Sequence, residues 1–179
     1  MDQVPNNRYT RAARWFHWLV FAFVTLAYLL IVWRGTTARG SDANVLLIQL
    51  HKLAGLAVLL LVPFRLRHRR RHAPPPIVPA AAAWELRLSR LTHAALYAFL
   101  FLQPMLGLLT TFSGGRGITF PLTTLQIPSP IAANPTLNLI SKEMHVWLGT
   151  IFYFVIGLHV AGALWHHLVR RDNTLQRMT

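Results

Sequence analysis

The sequence predicts an all-α membrane protein, a bundle of four transmembrane helices that forms one domain over residues 1–179, with both termini in the cytoplasm. Of the 179 residues, 54% are hydrophobic and 13% are charged, and the mean hydropathy is +0.39, a composition typical of membrane proteins. Four apolar stretches, at about residues 15–33, 45–64, 91–112 and 145–169, are close to the ~20 residues that cross the hydrocarbon layer. The distribution of Lys and Arg then indicates the orientation.

The first span follows a short polar segment, residues 1–7, and three arginines. Trp15 and Trp33 bracket the span, and tryptophan is enriched at membrane interfaces. The apolar run is too long for a signal peptide, and no small-residue cleavage site stands out at its end, so we expect the span to be retained. His17 lies near its cytoplasmic end.

The second span carries His51 and Lys52 in its first turns. We expect Pro63 and the basic run 65–72 to end it. A basic run can bind nucleic acid, but beside a transmembrane end it is better explained by the positive-inside rule, so no nucleic-acid partner is expected.

The third span is preceded by a proline-rich connector, residues 74–79, and by an expected short helix on the inner surface, residues 80–90. His93 lies near its cytoplasmic end. Pro104 and Gly107 are predicted to kink its outer half.

The fourth span places two histidines on one face. It follows a loop, residues 113–141, whose length and glycine and proline content indicate a functional segment or a cap. His145 and His159 are 14 residues apart. At about 100° per residue this separation is within roughly 40° of four turns, with a rise of about 21 Å. Histidines inside membrane helices are costly and are usually functional.

Depth divides the histidines into two pairs, His17 with His159 near the cytoplasmic surface and His51 with His145 near the outer surface. Two histidines from facing helices commonly hold a b-type haem in a bundle. The chain has no cysteine, which excludes iron–sulfur thiolates and the Cys-based attachment of c-type haem.

Small residues one turn beyond the histidines favour a haem, because they let a flat macrocycle approach the helix backbone. Gly55 follows His51 in this way, and Gly149 follows His145. Two alternatives remain: polar histidines that only line a helix interface, and a zinc site, for which each pair supplies two of the usual four ligands.

Charge on the two sides of the membrane is unequal. Thirteen of the 18 Lys and Arg residues lie at the termini or within residues 65–90, which places the termini in the cytoplasm. The outer side still has more cations than its two acids, Asp42 and Glu143, and such a surface would steer small anions. Lys52 and Lys142 could instead pair with haem propionates. The five outer cations are Arg34, Arg39, Lys52, Arg116 and Lys142.

Several longer segments together resemble the bacterial dihaem cytochrome b561 family, in particular the superoxide oxidases of the inner membrane. The resemblance implies a four-helix bundle in the bacterial inner membrane, two b haems with the pairing above, and electron exchange with ubiquinone. Superoxide would reduce the outer haem, and electrons would pass through the inner haem to ubiquinone. The segments are residues 15–20, His51 with Gly55, residues 75–79, His145 with Gly149, residues 154–159, His166-His167, and residues 172–175 with Arg177-Met178.

Three further histidines lie at the cytoplasmic side, where quinone reduction needs protons. His166 and His167 end the fourth span, and His93 lies at a similar depth on the third. Histidine can donate or relay a proton near neutral pH. Interfacial anchoring and interaction with the helix dipole are the alternative explanation.

Two other classes of function stay open. Related dihaem bundles serve as membrane anchors that pass electrons between quinone and a soluble dehydrogenase or hydrogenase subunit, although the short termini here argue against a stable protein partner. A haem-free structural or transport protein is the third class, and an absorption spectrum separates it from the other two.

Overall fold

A computed structural model describes residues 8–179, and in this part of the chain four long helices confirm the predicted all-α bundle. The helices are α1 (Arg11–Gly35), α2 (Asp42–Arg71), α3 (Ala83–Ser113) and α4 (Pro135–Leu168). Each is long and apolar enough to cross a membrane. The predicted polar segment, residues 1–7, lies outside the described residues. We call the end where α1 begins and α4 finishes the termini end, and the opposite end the loop end.

The helices pack in chain order. α1 lies along α2, and α3 lies along α4, while α2 and α3 make a smaller contact. In the described residues, the α1 and α4 backbones seldom come close, and these two helices meet through their side chains. The apolar core lies at mid-depth, where the Phe99 and Phe152 rings stack with centroids 4.0 Å apart and Val20, Val58 and Leu100 are buried around them. The bundle is therefore closed at its centre and more open between its first and last helices.

All four helices are longer than the apolar spans that the sequence suggested. The prediction that Pro63 helps to end the second helix is wrong, because α2 continues through this proline and ends at Arg71, within the basic run 65–72 that was also expected to end it. A proline removes one backbone hydrogen bond, and here the buried Val58 and Val62 hold the preceding turns in the core. Arg65 is therefore a helical residue of the bundle.

The start of α4 also differs from the expected span. α4 begins at Pro135, where the Asn134 side chain accepts a hydrogen bond from the Leu137 N–H and proline occupies the first turn. His145 consequently lies inside the helix, and the preceding loop is shorter than predicted. The expected short helix at 80–90 is likewise not separate, since α3 runs continuously from Ala83.

A small β-hairpin covers part of the loop end. β1 (Ile118–Thr119) pairs in antiparallel register with β2 (Gln126–Ile127). Ile118 is buried, and the Thr119 N–H donates a hydrogen bond to the Gln49 side-chain oxygen of α2 at 3.4 Å. The hairpin thus lies against α2 one turn or less from His51.

The C-terminal segment, residues 170–179, docks on the proline-rich connector at the termini end. Asn173 exchanges hydrogen bonds with Val78, one from each residue's N–H, at 2.9 and 3.1 Å. The buried Arg177 donates to the Pro75 carbonyl, and the Trp18 indole N–H donates to the Met178 carbonyl at 2.9 Å. These contacts join three of the segments on which the family resemblance rested.

Candidate functional site

The four predicted histidines lie in two facing pairs, one near each end of the bundle. The ring centroids of His17 and His159 are 6.2 Å apart, and those of His51 and His145 are also 6.2 Å apart. A bond from a transition metal to an imidazole nitrogen is about 2 Å, so two imidazoles on one ion have centroids roughly 6 Å apart. Both separations fit a single iron between the rings.

The loop-end pair also has the tautomer that a metal ligand needs. His51 Nδ1 lies 2.8 Å from the Ala27 carbonyl oxygen, and His145 Nδ1 lies 3.0 Å from the Gln103 carbonyl oxygen. A carbonyl only accepts, so each Nδ1 carries the proton and donates it. Nε2 is then the unprotonated nitrogen in both rings, as in most metal-binding histidines.

Glycines shape the space around this pair. A Cβ at Gly107 would lie 3.1 Å from His145 Cε1, so the absence of a side chain there makes room for the imidazole. This contact gives Gly107 a packing role, and the kink predicted at Pro104 and Gly107 stays a prediction. A Cβ at Gly149 would lie 3.0 Å from the Gln103 amide nitrogen, whereas Gly55 lines the cavity and has only Pro104 nearby, at 4.0 Å.

Gly107→Ala is therefore expected to weaken haem retention at the loop-end pair about three- to tenfold, because the new methyl group displaces the His145 ring by a few tenths of an ångström. The measurement is the rate of haem loss to an excess acceptor protein. Gly157→Ala is the matched control, since a Cβ at that helical position meets nothing within 4 Å. Equal retention in both variants would contradict the packing role of Gly107.

The termini-end pair lies in the larger of the two cavities, with a volume of about 360 Å³. His93 lines the same cavity, and its ring centroid is 5.3 Å from that of His159. Here the Arg65 guanidinium donates a hydrogen bond from Nη2 to His17 Nδ1 at 3.0 Å. Because that nitrogen accepts, neutral His17 carries its proton on Nε2. Binding a metal through Nε2 requires this contact to be released.

The two cavities adjoin each other and differ in volume. The loop-end cavity has a volume of about 70 Å³, so a porphyrin there requires the lining side chains to move apart. The residues present nevertheless fit a haem at each pair. The spacing of the two rings fits at both ends, the tautomer of the histidines fits at the loop end, and the cavity volume favours the termini end. Four residues line both cavities: Val24, Tyr28, Phe99 and Leu100.

Tyr28 bridges α1 and α4 between the two pairs. Its hydroxyl donates a hydrogen bond to the Gly149 carbonyl at 2.8 Å, and its ring centroid is 4.5 Å from that of Tyr153. Sequence reasoning missed this residue, because an isolated tyrosine in an apolar span resembles any other large core residue.

The predicted cations near the loop end do not form one group. Lys52 is half-buried on α2 and interacts electrostatically with Arg34 and Arg116. Lys52 and Arg34 also act on His51. We call Arg34, Lys52 and Arg116 the cation cluster. Lys142 is exposed on α4.

The three histidines predicted for proton transfer are separated. His93 belongs to the cavity of the termini-end pair, and His167 is exposed. His166 donates from Nδ1 to Asp172 Oδ2 at 2.5 Å. Burial alone would raise the pKa of the Asp172 carboxyl, but the hydrogen bonds from His166 and Thr174 lower it below its usual value. Asp172 is thus an ionised partner that orients His166.

Sequence reasoning missed Asp172 because it lies past the end of the fourth span and meets His166 only after the chain turns back. For Arg65, the sequence contained a signal that could have predicted its place in the site. It follows His51 by 14 residues, the same spacing that places His145 and His159 on one face of α4.

Comparison with known proteins places this geometry in context. A family model described as prokaryotic cytochrome b561 matches residues 8–179. The chain is 31% identical over 172 residues to cytochrome b561 homolog 1 of Escherichia coli (strain K12), covering 96% of this chain and 97% of that protein. It is 35% identical over 162 residues to probable superoxide oxidase CybB of Yersinia pestis, covering 90% of each chain. It is 26% identical over 172 residues to cytochrome b561 homolog 2 of E. coli, covering 96% of this chain and 91% of that protein.

Proposed function

The chain belongs to the prokaryotic cytochrome b561 family of membrane haem proteins, and from this premise we propose that it oxidises superoxide and delivers the electrons to ubiquinone. The observation that carries the proposal is the presence of a facing histidine pair near each end of one transmembrane bundle. Two sites at different depths suit a protein that moves electrons from one membrane surface toward the other.

Each pair would hold one b haem, His51 with His145 at the loop end and His17 with His159 at the termini end. Bound there, haem iron would supply the one-electron chemistry that links a radical donor to a two-electron acceptor. The protein's part is to fix the axial nitrogens and exclude water. The carbonyls of Ala27 and Gln103 hold the loop-end imidazoles, and apolar side chains line both cavities.

The cation cluster would collect superoxide at the loop end, which we assign to the periplasmic side from the excess of Lys and Arg at the termini end. Arg34 and Lys52 act electrostatically on His51, so there is a positive potential beside a proposed haem ligand. A small anion arriving from solution is attracted by such a potential, and its encounter rate rises.

Quinone chemistry would take place at the termini end, near the cytoplasmic surface of a bacterial inner membrane. Two superoxide anions each lose one electron and leave as O₂, and ubiquinone takes up the two electrons with two protons to become ubiquinol. The His166–Asp172 pair supports this assignment, because a carboxylate that accepts from Nδ1 leaves Nε2 as the nitrogen that exchanges protons.

The direct test is stopped-flow mixing of the oxidised, detergent-solubilised protein with superoxide, with and without a water-soluble ubiquinone analogue. We expect the reduced-haem absorbance bands to appear, and to decay faster when the quinone is present. Superoxide dismutase added beforehand should abolish the reduction. A protein that binds haem but is not reduced by superoxide would overturn the proposal and favour an anchor subunit that receives electrons from a soluble dehydrogenase or hydrogenase.

A further inference from the structure

Arg65 is a charged residue of the bundle interior that the electron-transfer scheme does not use. It lies on the same face of α2 as His51, four turns nearer the termini end. It lines the 360 Å³ cavity with His17 and His159. α2 therefore presents a histidine to the loop-end cavity and an arginine to the termini-end cavity.

Arg65 pairs with no carboxylate in the part of the chain that the structure describes. Glu85 forms an ion pair with Arg170 at 3.3 Å, and Asp172 with His166. The other two described acids, Asp42 and Glu143, are at the loop end. A guanidinium in an apolar cavity without an anion is energetically costly, so the site as it stands lacks a negative charge.

Arg65 has a second cation beside it, Arg69, which adds to the demand for an anion, and a tyrosine, Tyr97, which offsets part of that demand. Its guanidinium carbon is 5.5 Å from the Tyr97 ring centroid, and that of Arg69 is 5.3 Å from the same ring. Two arginines thus meet around one tyrosine that lines the cavity. A guanidinium presents a planar fork of N–H donors that matches the two oxygens of a carboxylate, and such pairs are among the strongest hydrogen bonds in proteins.

We propose that Arg65 anchors a carboxylate in the termini-end cavity, and that this carboxylate is a propionate of the haem held by His17 and His159. The inference rests on the proposed haem binding at that pair. It also accounts for the contact between Arg65 and His17 Nδ1. When a carboxylate binds the Arg65 guanidinium, the hydrogen bond from Arg65 to His17 Nδ1 is broken and Nδ1 can carry the proton. His17 Nε2 then becomes available to the metal. Anchoring and ligation are then coupled through one arginine.

The test combines a substitution at Arg65 with a haem whose propionates are blocked. In a His145→Ala background, which confines haem to the termini-end pair, purified full-length protein and its R65Q variant are each loaded with haem b or with haem b dimethyl ester. The ester lacks both negative charges. The measurement is the rate of haem transfer to an excess acceptor protein. R67Q is the matched control, because Arg67 is an exposed arginine two residues further along the same helix.

We expect R65Q to lose haem b about 10- to 100-fold faster, and R67Q to match its parent. The dimethyl ester should be lost faster from the parent by a similar factor, and R65Q should add little to that loss. R65K, which keeps the charge without the fork, should lie between them, and it replaces R65Q in the cycle where R65Q does not yield monodisperse protein.

Two results would overturn the proposal. One is equal retention of haem b by R65Q and its parent. The other is an equal R65Q effect on haem b and on the ester, which would mean that Arg65 supports the fold or binds another anion. Failure of superoxide oxidation leaves this inference untouched, since haem retention is measured without it. Failure to bind any haem at His17 and His159 would be visible beforehand in the haem content of the parent.

Discussion

Replacing His51 or His145 by alanine should remove one haem from the proposed content of two per chain, and replacing His17 or His159 should remove the other. Each pair faces one metal position with ring centroids 6.2 Å apart, so loss of either imidazole leaves an iron without one axial ligand. Because the pairs line different cavities, the two losses should appear in different components of the reduced spectrum.

A pyridine haemochrome assay gives the haem count, and low-temperature difference spectra separate the two components. His167→Ala is the matched control, because this histidine is exposed on the same helix that carries His145 and His159. The pairing is wrong if His17→Ala and His51→Ala delete the same spectral component. A count of one haem in the unaltered protein would contradict the dihaem assignment itself.

Reversing one charge of the cation cluster should slow the reaction with superoxide strongly. Arg116 is exposed and acts on Lys52, so Arg116→Glu lowers the formal charge of the cation cluster from +3 to +1. We expect the bimolecular rate of haem reduction to fall about tenfold at low ionic strength. The difference should shrink in 0.15 M salt, where surface charges are screened over about 8 Å. Haem content should not change.

Arg67→Glu is the control for this experiment, because it makes the same charge change at the termini end, on the other side of the membrane in the proposed orientation. Lys142→Glu extends the test to an exposed cation of α4. If Arg116→Glu and Lys142→Glu together leave both the rate and its salt dependence unchanged, electrostatic steering does not operate, and a protein donor becomes the better explanation.

The sequence was sufficient to predict the helical bundle and the two histidine pairs, because both depend on local periodicity and on depth in the membrane. A residue's distance from the end of an apolar span gives its depth, and a 14-residue spacing gives its face. The continuation of α2 through Pro63 was missed because proline usually ends a helix, whereas here the turns before it are buried in the core at Val58 and Val62.

Details of the site that depend on contacts between distant residues could not be predicted. The closeness of Gly107 to His145, and of Asp172 to His166, arises where the chain folds back on itself. The sequence indicated a role for Gly107 only within its own helix, whereas its contact with His145 lies in the neighbouring one. Helix propensity and hydropathy describe one segment at a time, and neither contains information about which side chain a glycine accommodates.

The weak contact between α1 and α4 has a consequence for how the protein is assembled. α1 with α2, and α3 with α4, form two closely packed helical halves. Each histidine pair takes one ligand from each half, since His17 and His51 belong to the first and His145 and His159 to the second. In the proposed arrangement, both haems are therefore cross-links between the halves. They would add to the contact between α2 and α3 and to the central core, so that haem binding would stabilise the folded bundle against local opening between its first and last helices.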